Sequence, residues 1–304
     1  MEYSFTRYLR SKVSVDDRAM NQGVWDRMVA LLPVQTSYRP LRILEIGCGI
    51  GTMLERMMRK GLISHVEYTG IDLQPEIITH AVQHLEEWSN LAGFRLAGGI
   101  GEGFLLEDGH RELVVRFIDA DLQAFLDHYK GLGDWDLLVA HAFLDLVDVS
   151  ATLAKLLGAL RKGGIFYFTL NFDGQTILEP LVDLNLDGQI ERLFHQSMDR
   201  RLIAGKSSGD SRTGRHLFGH LREAGATILA AGASDWIVYP GEDGYPGDEA
   251  YFLHYIIHTI HSALREEGSL DELRLLEWAR FRHAQVDRCD LVYIAHQIDF
   301  AGIV

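Results

Sequence analysis

The chain has 304 residues, enough for one large or two small domains, with the 47% hydrophobic and 24% charged content of an ordinary globular protein. No run approaches the roughly 18 consecutive apolar residues of a membrane helix, and the two cysteines, Cys48 and Cys289, make neither a disulfide framework nor a zinc spacing. A net charge of −14 argues against general nucleic-acid binding, which draws on phosphate neutralisation. The opening residues, MEYSFTRYLRSK, lack the apolar core of a secretory signal, so a reducing cytoplasm is the expected location.

Residues Tyr3–Leu32 read as helical, with apolar residues at helical spacing in VWDRMVALL and a stop at Pro33; residues 1–40 are expected to form an N-terminal arm. Strand-like and helix-like segments then alternate, the signature of a parallel sheet covered on both faces. The expected order is strand Arg42–Ile46, helix Thr52–Lys60, strand Val66–Ile71 and helix Pro75–Trp88, with Pro75 suited to a first turn. A glycine-rich stretch, Gly93–Gly109, reads as a hairpin or surface loop. Strand Glu112–Ile118, a short helix near Leu122–His128, strand Asp136–Ala140, helix Ala151–Leu160 and strand Ile165–Leu170 follow.

Beyond Leu170 the rhythm loosens. Helices are expected over Leu178–Arg201, Gly214–Ala224, Glu249–Glu267 and Leu270–Ala284, with strands at Ala226–Ala230, Trp236–Tyr239 and Leu291–Gln297. These strands need the hydrogen bonds of the same sheet. A single domain over 41–304, with additions at about 174–225 and 240–285, is therefore expected. A basic run of Arg192, Arg200, Arg201, Lys206, Arg212, Arg215 and Arg222 reads either as a solvated helical surface or as an anion-attracting wall.

The most informative stretch is LRILEIGCGIGTM, Leu41–Met53. A buried strand runs into a turn with glycines at alternate positions, Gly47, Gly49 and Gly51, and then into a helix. Such a turn brings a ligand close to bare backbone amides. The spacing is GxGxG, and Thr52 stands where a GxGxxG dinucleotide turn needs its third glycine. With Glu45 in front, the stretch resembles the first motif of the class I S-adenosylmethionine (SAM) dependent methyltransferases. The resemblance extends over about Leu41–Leu170.

That resemblance implies a doubly wound α/β fold with a mostly parallel seven-stranded sheet, helices on both faces and an elaborated C-terminal substrate lid. It implies SAM as cofactor, held by Glu45, Gly47, Cys48, Gly49 and Gly51. Asp72, in YTGIDLQPE, matches the acidic residue that accepts from the ribose hydroxyls, with Leu73 beside it. Asp121, followed by Leu122 in VVRFIDADLQAF, matches the adenine contact, with Asp119 two residues away as the alternative. Ala140, His141 and Ala142, in WDLLVAHAFLDLVD, match the motif beside the methyl group; His141 reads as a general base, a steric wall or a packing residue. Asp145 and Asp148 read as helix caps or substrate ligands. Asn171, Phe172 and Asp173, in FTLNFDG, are expected at the same sheet edge, with Asn171 a catalytic candidate and turn chemistry the alternative. Lys12 and Arg18 are candidates for the methionine carboxylate of SAM if the arm folds over the pocket.

His254, His258 and His261 share a helical spacing but lack the rest of a metal motif, so no metal is expected. The amino-methylating signature Asn/Asp-Pro-Pro-Tyr/Phe is absent, since AHAFLD stands there. Together with the acidic charge this favours a small-molecule acceptor, with no nucleic-acid or membrane partner and the oligomeric state left open. A non-catalytic SAM-binding protein and a nicotinamide-dependent oxidoreductase are the rival readings.

Overall fold

The computed structural model describes residues 3–99, 103–128, 133–203, 205–268 and 270–304. The arm forms three helices, not one: α1 (Phe5–Ser11), α2 (Val13–Ala19) and α3 (Gln22–Leu31), with the chain turning at Lys12 and at Met20–Asn21. Asn21 accepts from the Val24 amide and so starts α3, as a short polar residue does at an N-cap.

The core follows as β1 (Leu41–Ile46), α4 (Thr52–Arg59), β2 (His65–Asp72), α5 (Pro75–Leu91), the pair β3 (Arg95–Gly99) and β4 (Gly103–Glu107), β5 (Glu112–Asp119), α6 (Leu122–His128), β6 (Trp135–His141), α7 (Val149–Leu157) and β7 (Leu160–Glu179). The rest comprises α8 (Leu184–Asp199), the two-residue strands β8 (Leu202–Ile203) and β9 (Lys206–Ser207), α9 (Thr213–Glu223), β10 (Thr227–Ala233), β11 (Trp236–Val238), α10 (Glu249–Glu267), α11 (Glu272–Asp287) and β12 (Val292–Ile303).

Five parallel strands, ordered β7-β6-β1-β2-β5, form the centre of the sheet. The strand order reverses between β1 and β6, the switch point at which doubly wound sheets hold ligands. Antiparallel strands extend both sides: β4 and β3 beyond β5, and β12 and β10 beyond β7, with β11 also on β12. The sheet thus has ten strands among the described residues, where seven were expected. The glycine-rich stretch is the β3–β4 hairpin, a strand pair local enough to form at the edge; its tip, 100–102, lies outside the described residues.

Alternate residues of a strand face opposite sides. Ile43 packs with α3, α4 and α5, through Trp25, Met28, Met57 and Val82, while Leu44 and Ile46 pack with α6, α7 and α9, through Phe125, Leu153 and Leu217. A third apolar cluster lies beyond the carboxyl edge of the parallel strands. It joins Val15 of α2, Ile190 of α8, Phe252 and Ile257 of α10 and Trp278 of α11 to Phe172, Val238 and Tyr293.

The strand carrying that third cluster departs from expectation. β7 does not end at Leu170 but runs on to Glu179, because β12 pairs with it along its length, from Ile303↔Ile165 to Val292↔Glu179. The pairing slips at Asp299, whose carboxylate accepts the amides of Leu170 (2.7 Å) and Asn21 (2.8 Å). Leu170 itself has φ +55°, a bulge conformation that bends the strand without ending it. None of the described helices is long and apolar enough to cross a membrane.

Candidate active site

The glycine turn lies where β1 meets α4, at the switch point. Gly47 has φ +65° and lies so close to the Phe143 ring that a Cβ there would fall 2.3 Å from it. Only glycine meets both demands. The Cys48 amide donates to the Ile71 carbonyl and binds the turn to β2 (3.0 Å), while its side chain is buried and its thiol is pushed up by that burial. Glu45 is directed into the core beneath the turn. It is 1% exposed and accepts from the Tyr68 hydroxyl at 2.5 Å, and burial pushes its carboxyl up to about 8.

Asp72 stands at the carboxyl end of β2, beside the turn. Its carboxylate accepts the amides of Gly49 (3.2 Å) and Gln74 (3.1 Å). Burial raises its pKa, and the backbone amides oppose that rise. Leu73 is 61% exposed. At the next strand end, Asp119 lies in register with Asp72, and Asp121 caps α6 by accepting the Ala124 amide at 3.0 Å. Both are exposed. Leu122 opens α6.

Ala140 is buried in β6, and His141 follows it in a polar cluster that sequence reasoning missed. Its Nδ1 lies 2.7 Å from Thr169 Oγ1 and its Nε2 3.1 Å from Asp16 Oδ2. Trp236 donates its indole N–H to the other oxygen of Asp16 at 2.9 Å, and Lys12 bonds the same carboxylate. Burial holds the His141 imidazole down at about 4, against the pull of Asp16. For Asp16, burial acts upward, but Lys12, His141 and Arg56 together outweigh it and hold the carboxyl below its usual range. The result is a neutral imidazole beside an ionised carboxylate. The Nε2–H therefore donates to Asp16 while Nδ1 accepts from Thr169, and neither ring nitrogen is left open.

The arm lies across this edge. Leu9 reaches within 3.7 Å of the Cβ position at Gly49, and Lys12 is buried above the Trp236 ring. The one legible signal for Asp16 was its spacing of four from Lys12, which places the two on one helical face. Arg18 is placed elsewhere: it forms a two-pronged ion pair with Glu249, at 2.6 and 2.8 Å. Its guanidinium is thereby committed to fastening α2 onto α10.

Asn171 is not at the edge. It lies within β7, fully buried, and its amide donates to the Ile298 carbonyl of β12 at 2.8 Å. Asp173 is likewise inside the strand and holds the Arg215 side chain and amide. Of the basic run, Arg215 is thus engaged by Asp173 and Arg200 lies 3.8 Å from Glu267; the Lys206 side chain lies outside the described residues. Among the described residues, no group of three or more His, Cys, Asp or Glu is arranged to hold a metal.

Residues 44–166 match a family model described as a methyltransferase domain. That stretch is a methyltransferase domain, in keeping with the resemblance of the glycine turn to the class I SAM-dependent methyltransferases. The donor set there suits SAM, the cofactor that this resemblance implies: a glycine turn that admits a ligand to backbone amides, and the Asp72 carboxylate at the neighbouring strand end. No curated protein sequence matches the enzyme. Among solved structures it is similar to the cyclopropane synthase MmaA2 from Mycobacterium tuberculosis (14% identity, 92% of this chain and 82% of that one, TM-score 0.44). It is also similar to the [4+2]-cyclase SpnF (16%, 98% and 93%, 0.45) and to geranyl diphosphate C-methyltransferase from Streptomyces coelicolor A3(2) (11%, 91% and 75%, 0.45). These likenesses are remote.

Proposed function

We propose that the enzyme transfers the methyl group of SAM to a small-molecule acceptor held between the carboxyl edge of the sheet and the helical layer of α1, α2, α8 and α10, which acts as a lid. The observation that carries this reading is the placement of α1 and α2 across the glycine turn, with Leu9 over Gly49 and Lys12 and Asp16 bonded to the exit of β6. Such a covered edge suits a small acceptor better than a polymer, and the charge of −14 disfavours a nucleic acid.

When bound, SAM supplies a methyl carbon already activated by a sulfonium leaving group. The residues need chiefly to align it and exclude water, and positioning of that kind is worth roughly 7–11 kcal/mol. Asp72 would exchange its backbone partners for the ribose hydroxyls, which a carboxylate accepts in pairs. Asp121 with Leu122, or Asp119, would meet the adenine. Lys12 is salt-bridged to Asp16 and Arg18 to Glu249, so neither arm cation is held open for the methionine carboxylate. Ala140 and His141 would wall the methyl end, His141 as a fixed neutral group.

Calorimetry with SAM and with its demethylated product S-adenosylhomocysteine (SAH) tests the donor site. Both should bind, and Asp72→Ala should weaken both at least tenfold while the fold persists by circular dichroism. Binding of neither, or Asp72→Ala matching the parent, would refute the reading.

A further inference from the structure

The leading segment is tied to α10 and α11 by side chains that the methyl-transfer reading does not use. Tyr3 stacks on His258, with the ring centroids 4.2 Å apart and the planes within 16°, and its centroid lies 6.4 Å from that of His283. Ser4 donates its amide to the Tyr251 hydroxyl at 2.7 Å, and one turn later Tyr8 stacks on Tyr255 at 4.2 Å. Residues 3–11 thus run along α10, and Leu9 in the same helix covers Gly49 of the glycine turn.

His254 of α10 and His283 of α11 meet nitrogen to nitrogen, Nδ1 to Nδ1 at 2.8 Å. Such a contact holds one proton: one nitrogen donates and the other accepts. Asp287 decides which. Its carboxylate lies 3.3 Å from His254 Nε2, so that nitrogen carries the proton of His254, and His254 Nδ1 accepts from His283. A single added proton goes to His283 Nε2 and leaves the contact intact. A second has only His254 Nδ1 to occupy, which sets N–H against N–H between two cations whose ring centroids are 5.0 Å apart. His254 is buried and held by Asp287, whereas His283 is half-buried, so His283 is the ring that gives way.

The surrounding charges come from each element packed here. Asp287 of α11 favours charge on both rings; His258 and His261 of α10 oppose it at His283, and the amino terminus opposes it at His254. Arg265 acts in the same sense on His258 and His261. Burial, and then His254, hold His283 down at about 4.

We propose that the His254–His283 pair is an acid-sensitive catch for the arm: with two protons on the pair, His283 turns away from His254 and dislodges Tyr3, and α1 lifts from α10 and from the glycine turn. A charged His258 would attract the Tyr3 ring rather than repel it, so the release belongs to His283. The catch is closed above about 6.5, the unfolded histidine value, and opens as pH falls towards 4. It holds whatever ligand the turn binds.

The test is hydrogen exchange on the full chain, read by mass spectrometry and corrected for the intrinsic pH dependence of amide exchange. From about pH 7 to about pH 4.5, protection of α1 in the parent should fall at least tenfold while β1 and β2 keep theirs. His283→Asn leaves an N–H for His254 Nδ1 but takes no proton, and its α1 protection should stay within twofold over that range. Tyr3→Ala cuts the link between the pair and the arm: α1 should be looser at neutral pH and no longer respond to acid. Circular dichroism at neutral pH checks that both variants fold, and Tyr3→Ala carries the test if the asparagine is not tolerated. Constant α1 protection in the parent, loss only in step with β1 and β2, or an undiminished acid response in either folded variant overturns the catch.

Discussion

Asp16 shows how one buried carboxylate can hold several elements. It joins α2 to β6 through His141 and to β11 through Trp236, and it neutralises Lys12, which is itself 7% exposed. Removing one partner from such a pair leaves an uncompensated buried charge, a cost of about 3–5 kcal/mol. Asp16→Ala should lower the free energy of unfolding by that order in urea titration. The companion change Lys12→Met in the same background should recover part of the loss, because it removes the stranded ammonium. No recovery would mean that Asp16 acts mainly through His141 and Trp236. His141 was legible as a residue of this edge, but its engagement was not. Its partners come from 125 positions away in one direction and 28 in the other, a separation that local pattern does not encode.

At the scale of elements, the arm is fastened by contacts of uneven strength. Arg7–Asp248 is exposed on both sides, and a pair of that kind contributes little. Arg18 and Ser14 both donate to Glu249, whose side chain is fully buried. Arg18→Ala strands that carboxylate with only the serine, which should cost roughly 1–3 kcal/mol. Hydrogen exchange should then speed up in α1 and α2 before it does in β1 or β2. In the double variant with Glu249→Gln the loss should be smaller than the sum of the two single losses, since they remove the same interaction.

The elements of the parallel core were legible from β1 to β6 because alternating strands and amphipathic helices are local patterns. β7 was not. Asn171, Asp173 and Gly174 carry turn chemistry, and Leu170 adopts a positive φ, so the sequence signals a stop. The ladder supplied by β12 overrides that signal across more than a hundred residues. The same override moves Asn171 from the open edge into the sheet. In the arm, Arg18 and Lys12 were equivalent by composition; the buried Asp16 takes Lys12 and the buried Glu249 on α10 takes Arg18.

The whole molecule carries opposing titrations. His141 and His283 are both held down at about 4 by burial, below the unfolded value near 6.5. The stability tied to their neutral forms is present above 6.5 and lost as pH falls towards 4. Glu45 works in the other sense. Its folded value of about 8 lies above its unfolded one, so its contribution is complete below about 4.5 and is lost as pH rises through 8. Thermal melting should therefore peak at intermediate pH. Glu45→Gln, which keeps an acceptor for Tyr68, should flatten the alkaline side and leave the acid side intact. A parallel fall of both proteins above pH 7 would remove Glu45 as the cause.

β12 has the highest residue numbers of any strand, yet it lies inside the sheet, between β7 and β10. A chain emerging from the ribosome can assemble β1 to β6 as it appears, but β7 keeps one edge bare until some 110 later residues have followed it. Over that interval the apolar row from Ile165 to Phe172 is open to any other extended segment, as unpaired strand edges are. The helices α8, α10 and α11 are made during this wait, and they cannot settle on a ribbon that does not yet exist. Pairing of β12 with β7 and β10 completes the sheet and the support for the helical layer above it together.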